Sequence, residues 1–395
     1  MEYQLAAALG LAFFIYSVSF RRLARAELTG PMYFVIVGAA LAWAFSDAMK
    51  VDQPLSALLP LVELTLAVFL FTDAAKTRIN VLKSQFKYPL VLLFVALPIT
   101  FFATFALGYL LFPHMHTIAL ALLAIILTPT DAALSKGLLE SQSVPEKIRE
   151  SINVESGLND GMCVPIFLFL FLSWQHGEFQ GAATMLTFLI EEIGVALIVG
   201  VSVTYGALKL TQLSATRHYF EKSSSPFLVL SVAVSVFTLA QLLGGSGFVA
   251  AFVGGLVFDK FYRADDDEKL IEDSEHIADF FAYLIWCLFG AYAFIQLQTI
   301  DLNIYKVLFA FLAATLVRVV PVMLSLIPFN ELSLKEKFTL AWFGPRGLAS
   351  IVFTLMVLES TENGLAELAT LTILMSVFIH GITTRPIANS YKNRN

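Results

Sequence analysis

Four stretches of the chain set ionisable and hydroxyl side chains among apolar neighbours. They are Thr128-Pro129-Thr130-Asp131, Glu155-Ser156-Gly157-Leu158-Asn159-Asp160-Gly161, the lone Arg318 in Leu316-Val317-Arg318-Val319-Val320-Pro321, and Phe343-Gly344-Pro345-Arg346-Gly347. A carboxylate holds either a proton or a hard cation, hydroxyls and freed backbone carbonyls are neutral oxygen ligands, and a guanidinium pairs with a carboxylate. Together these groups could bind and release small cations and protons. In a membrane interior each charge costs about 2.5–3.5 kcal/mol on insertion scales, so each needs a partner or a watery cavity and is a functional candidate.

The spacing assigns tasks. Pro129 removes a backbone donor and clashes with the preceding turn, so carbonyls are freed mid-membrane in the stretch that leads to Asp131. On a helix from Ile148, Glu155 and Asn159 share one face while Ser156 and Asp160 share the face about 100° round. One face can then meet another helix and the other can line a cavity. Gly157 and Gly161 permit close helix approach, and Pro165 bends the helix beyond them. Arg318 has no acidic neighbour at helical spacing, and Glu155 is its expected partner on another helix. Gly344-Pro345-Arg346-Gly347 repeats the broken-helix chemistry of the Thr128 stretch, and two interrupted helices in corresponding halves point to a transport site built on inverted repeats.

The elements that must carry these groups follow from composition. With 58% of 395 residues hydrophobic and only 14% charged, the chain reads as an all-α polytopic membrane protein. At about 20 apolar residues per crossing, thirteen spans are expected at 3–20, 31–49, 54–75 (cut by Pro60 and Glu63), 88–112, 115–135, 148–173, 187–209, 225–243, 245–259, 278–297, 304–327, 337–358 and 366–384. Met1–Phe20 reads as a retained first span, and the loops and tail are too short for a soluble domain. Cys163 and Cys287 fall inside spans and are expected to be buried packing residues. Of the 25 Lys and Arg, all but Lys50, Lys306, Arg318 and Arg346 fall in alternate loops or the C-terminal tail. The positive-inside rule then puts the N-terminus outside and the C-terminus in the cytoplasm. The acidic run Asp265–Glu268 reads as a solvated cytoplasmic linker, and Asp47 as a source of negative potential near the outer surface.

In this order the motifs resemble the NhaP-type sodium/proton antiporters, relatives of the mammalian sodium/proton exchangers. The resemblance covers essentially all the spans. It implies inverted repeats whose two interrupted helices cross near the midplane, and a homodimer. A core domain is expected around 88–173 and 304–384, and an interface domain around 3–75 and 225–297. By resemblance Asp160 is the ion- and proton-binding carboxylate, and Ser156, the Thr130 carbonyl and Asp73 are further Na+ ligands. Asp131 is the second acidic group, Thr128, Pro129 and Asn159 shape the site, and Glu155 with Arg318 forms a structural ion pair. Asn159 in place of a second carboxylate implies electroneutral exchange.

The expected activity is therefore Na+ (or Li+) exchange for H+ in a plasma membrane, such as a bacterial inner membrane. The expected partners are those ions, the lipid bilayer and a second copy of the chain, with no cofactor and no nucleic acid. Rival readings are a K+/H+ antiporter or a cation channel on the same scaffold. An intramembrane serine protease is a remote rival, through Gly244-Gly245-Ser246-Gly247 with His276 or His380. Glu191 and Glu192 read as interfacial, Glu63 as a funnel or capping group, and His380 as a packing residue or a pH-responsive one.

Overall fold

The computed structural model describes residues 2–45, 59–76, 87–177, 181, 183–184, 187, 189–221, 225–261, 268–358 and 363–392, and among them all regular structure is helical. Asp47 and the 265–267 part of the acidic run lie outside these residues. In chain order the helices are α1 (Glu2–Arg25), α2 (Gly30–Ala44), α3 (Leu59–Lys76), α4 (Lys87–Leu111, with a π turn at Leu92–Ala96) and α5 (Thr117–Ile126). A 3-10 turn (Ala132–Ser135) and a short helical turn (Lys136–Leu139) come next, then α6 (Glu146–Gln175), α7 (Gly194–Thr216, entered through a π turn at Leu189–Ile193), α8 (Ser225–Leu242), α9 (Gly247–Phe261) and α10 (Glu268–Thr299). The chain ends with α11 (Ile304–Ala314), α12 (Leu316–Ser325), α13 (Leu334–Trp342), α14 (Leu348–Val357) and α15 (Asn363–Ser390).

Seven helical stretches among the described residues are long and apolar enough to cross a membrane, and α2, α5, α14 and most of α8 form shorter apolar helices. Large apolar side chains such as Phe14, Trp43, Phe102, Leu110 and Ile198 are exposed on them. Such exposed apolar side chains suit lipid, as expected of a multi-pass membrane protein. Pro60, expected to cut a span, lies within α3, whose described residues begin at Leu59. Cys163 and Cys287 are both buried thiols.

The chain forms two compact units. The first comprises 1–57, 88–156 and 283–395, and the second 58–87 and 157–282. Within the second, α9 packs against α3, α7 and α8, with the rings of Phe71 and Phe258 edge to face at 5.7 Å. A Cβ at Gly161 would come within 2.6 Å of the Phe252 ring on α9, so the small residue is what admits this contact. Ser246, half of the protease-like motif, is buried and its Oγ accepts the Val249 N–H at 3.3 Å, capping α9. Within the first unit, Phe34 stacks on Tyr283 at 4.8 Å, and α4 packs on α5 and α12. A buried cluster that includes Leu92, Leu138, Ile148, Val322, Leu340 and Phe343 binds α13 into this unit.

Two helical connections in the first unit are interrupted where proline predicts it. After α5, Leu127 turns out of the helix, the Thr128 hydroxyl donates back to the Ala124 carbonyl at 2.7 Å, and Pro129 offers no N–H to continue the ladder. After α13, Phe343 leaves the helical region (φ -79, ψ 82) and Pro345 follows before α14 begins. A third interruption, between α11 and α12, falls at Thr315 (φ -126, ψ -89), inside the single span expected over 304–327.

Candidate functional site

The two proline breaks run into each other. The Asp131 N–H donates to the Pro345 carbonyl at 2.9 Å, and the Leu348 N–H donates to Asp131 Oδ2 at 3.1 Å. Gly347 is the N-cap residue of α14 but has no side chain, so Asp131 caps α14 from the opposite break. A carboxylate there also faces the positive end of the α14 dipole. The crossing leaves no room at Gly347, since a Cβ there would overlap Asp131.

Arg346 joins the same crossing from the other side and is fully buried. Its Nη1 donates to the Thr128 carbonyl at 3.2 Å and its Nη2 to the Ala313 carbonyl at 3.1 Å. These are carbonyls left without helical donors at the ends of α5 and α11, where negative dipole ends favour a cation. One guanidinium therefore touches the first and third interruptions from within the second.

Helix α6 brings the next groups. Ser156 is buried and its hydroxyl donates to the Thr130 carbonyl at 2.8 Å, so the two expected neutral ligands are already in contact. On the neighbouring face, Glu155 Oε2 accepts from Arg318 Nη2 at 2.8 Å, with side chains 1% and 3% exposed. Arg318 stands in the first turn of α12, where the helix dipole opposes a positive charge, so the Glu155 carboxylate has to offset both burial and dipole. The guanidinium lies against Gly344, where any Cβ would overlap it, so the ion pair and the second break are fitted to one another.

Asn159 and Asp160, both buried, continue α6 in the second unit, and Asp160 is one turn beyond Ser156 on the same helix. Asp73, partly buried, belongs to the second unit as well, on α3 next to Thr72, whose hydroxyl is held by the Val68 and Phe69 carbonyls at 3.0 Å. The first unit thus brings together Thr128, Pro129, Thr130, Asp131, Glu155, Ser156, Arg318 and the Gly344–Gly347 break, and the second holds Asn159, Asp160 and Asp73.

Several polar groups surround the crossing; of these only His380 stood out in the sequence, as a packing or pH-responsive residue, and Ser376, Trp342 and Thr383 did not. Ser376 Oγ accepts the Arg346 N–H at 2.8 Å, His380 Nδ1 lies 2.8 Å from the Ser376 carbonyl, and the Trp342 indole N–H donates to Thr383 Oγ1 at 2.9 Å. Their spacing of four and then three on α15 was a readable helical stripe. Lys306, expected only as a stray basic residue, pairs with Glu367 at 2.6 Å.

Comparison with known proteins identifies the family and the fold. Residues 9–390 match the family described as "Sodium/hydrogen exchanger, transmembrane". The "K(+)/H(+) antiporter NhaP2" of Shewanella sp. (strain MR-4) is 24% identical over 340 residues, which are 83% of this chain and 57% of that protein. This chain therefore spans little more than half the length of such relatives. The "Na(+)/H(+) antiporter NhaP" of Pseudomonas aeruginosa is 26% identical over 344 residues, 82% of this chain and 78% of that one. Among solved structures, the sodium proton antiporter MjNhaP1 from Methanocaldococcus jannaschii at pH 8 superposes with a TM-score of 0.78 at 21% identity, covering 100% of both chains. The fold is shared.

Proposed function

The chain belongs to the sodium/hydrogen exchanger family, and from that premise we propose that it is a secondary antiporter exchanging a monovalent cation for protons across a membrane. The observation that supports this most is the crossing itself, where two broken helices meet with Asp131 and Arg346 buried in the contact. Ionisable groups and unwound backbone at membrane depth are tolerated where they serve an ion pathway.

In this reading Asp160 takes either a proton or a partly dehydrated Na+ or Li+, never both. Only the loaded forms neutralise the carboxylate enough to change access, because an empty one would have to move charged through an apolar barrier. Ser156, the Thr130 carbonyl and Asp73 are proposed as further oxygen ligands for the cation. Asn159 beside Asp160 leaves a single carboxylate at this point of α6, which fits one cation exchanged for one proton. The helices around 88–173 and 304–384 are proposed as the transporting core, and those around 3–75 and 225–297 as the part that forms a homodimer. The charge pattern of the loops supports an outside N-terminus in a plasma membrane.

A second reading, K+ as the cation, is favoured by the NhaP2 relatives, which are named for K+. The test is cation-induced recovery of a quenched pH dye in everted vesicles, with Na+, Li+ and K+ over a pH series, for the wild type and Asp160→Asn. The expected result is a Na+ and Li+ response that rises with pH and vanishes in Asp160→Asn. A response to K+ alone would transfer the assignment to the second reading, and exchange surviving in Asp160→Asn would remove Asp160 from the mechanism.

A further inference from the structure

His380 is fully inside the first unit, on α15, and takes no part in the scheme above. Its Nδ1 lies 2.8 Å from the Ser376 backbone carbonyl and 3.1 Å from the Ser376 hydroxyl. A carbonyl oxygen can only accept, so the short Nδ1 contact favours the tautomer with its proton on Nδ1, although the Trp342 backbone also faces the ring. The Ser376 hydroxyl, lying against the same N–H, is then held with its oxygen toward donors. The Arg346 N–H at 2.8 Å is the other donor on it. That amide belongs to the Pro345–Arg346 peptide, whose carbonyl accepts the Asp131 N–H, and the Arg346 side chain reaches Thr128 and Ala313.

The remaining contacts of this helix face have the same direction. The His380 ring lies 5.4 Å from the Trp342 ring at 46°, and the Trp342 indole is tied to Thr383. Thr384 Oγ1 donates to the Leu134 carbonyl, just beyond the other break, at 3.4 Å. Trp342 is the last residue of α13, so the stripe from Ser376 to Thr384 grips the unwound backbone at both ends.

We propose that His380 is a positioning residue for ion exchange: its Nδ1–H fixes the Ser376 hydroxyl as an acceptor for the Arg346 amide, and so sets the Pro345–Arg346 peptide that orients Asp131 at the crossing. The proposal rests on the antiport reading. It treats the imidazole as a neutral donor of fixed tautomer, and a hydrogen-bond donor at the Nδ1 position should therefore replace it.

The test measures apparent cation affinity and maximal rate in proteoliposomes for wild type, Asp160→Asn, His380→Phe, His380→Asn, Ser376→Ala and the double variant His380→Phe/Ser376→Ala. His380→Phe keeps a ring against Trp342 and loses the donor. It is expected to weaken apparent cation affinity about fivefold, roughly what one net hydrogen bond is worth. Ser376→Ala should do the same, the double variant should be no worse than either single one, and His380→Asn should recover most of the affinity with an unshifted pH profile. Wild-type affinity in His380→Phe, additive losses in the double variant, or a displaced pH profile in His380→Asn would each overturn the proposal. Should His380→Phe fail to fold, Ser376→Ala against His380→Asn decides it alone: the proposal requires a loss in the first and recovery in the second. Absence of exchange in the wild type, or exchange retained by Asp160→Asn, would instead overturn the antiport reading, so the two failures are distinguishable.

Discussion

Arg318 and Glu155 show how closely single residues are matched inside the first unit. Both are almost wholly buried, and the pair is fitted to Gly344 without room for a methyl group. Removing one partner of such a pair leaves a buried charge without its counter-ion, so Glu155→Ala should lower stability by about 3–5 kcal/mol. The measure is the thermal midpoint of the detergent-solubilised protein, and a wild-type midpoint would deny the pair a structural role. At the crossing, Gly347→Ala drives a methyl into Asp131 and should dislodge the cap on Leu348. Exchange in vesicles should fall at least about tenfold, the equivalent of roughly 1.4 kcal/mol in the site's geometry. An alanine variant exchanging at the wild-type rate would show that Asp131 does not need this position. The reading of Glu155 as partner to Arg318 was available from sequence because a lone buried arginine admits few partners. The Gly344 and Gly347 contacts were not, since what a missing side chain makes room for lies more than two hundred residues away in the case of Asp131.

Each helical element owes its ends to a local chemistry, and this decides which ends sequence could foresee. The breaks at Pro129 and Pro345 were legible because proline brings a missing donor and a steric clash, whereas Pro165, Pro321 and Pro386 lie inside continuous helices. Thr315 was not legible, since Leu312-Ala313-Ala314-Thr315-Leu316 holds neither proline nor glycine. The physical reason for that break is tertiary, for the Ala313 carbonyl is taken by the Arg346 guanidinium instead of a donor one turn on. Helix α13 begins with a capping box, in which the Ser333 hydroxyl accepts the Glu336 N–H and Glu336 Oε2 accepts the Ser333 N–H at 2.7 Å. Glu336 also pairs with Lys147 at 2.9 Å, outside the expected span 337–358. Partial burial raises the pKa of this carboxyl, but the bonds from Lys147 and Ser333 outweigh it and hold it below its usual 4.5. A depressed folded value means the stabilisation is present above the unfolded pKa and is lost as pH falls through the folded one. The thermal midpoint should therefore drop below pH 4.5 more steeply in the wild type than in Glu336→Gln, and parallel profiles would contradict this. At neutral pH, Ser333→Ala should reduce stability by about 1 kcal/mol, read from the same midpoint.

For the molecule as a whole, composition and charge alternation were enough to name an all-helical membrane protein, and the ordered motifs were enough to suggest the family that residues 9–390 match. The partners of His380 on its stripe, Ser376 and Thr383, and the Lys306–Glu367 pair escaped because polar groups on an apolar helix gain meaning only from what they face. Net charge per cycle is a property of the entire transporter, and under the proposed reading a single carboxylate at Asp160 beside Asn159 makes it zero. Proteoliposomes clamped at opposite membrane potentials with a K+ ionophore should therefore give equal Na+-driven rates, and Asn159→Asp, if it folds, should make the rate voltage-dependent. Unequal wild-type rates would contradict one-for-one exchange. The cap that Asp131 lends to Leu348 joins residues 217 positions apart. Such a long loop must close before the contact can reward it. During synthesis the first half of the chain emerges first, so α14 reaches the membrane to find its cap waiting, whereas a C-terminal half made alone would leave that helix end bare. Co-expression of the two halves split in an exposed loop should rescue assembly, and the order of insertion thus becomes part of what the crossing encodes.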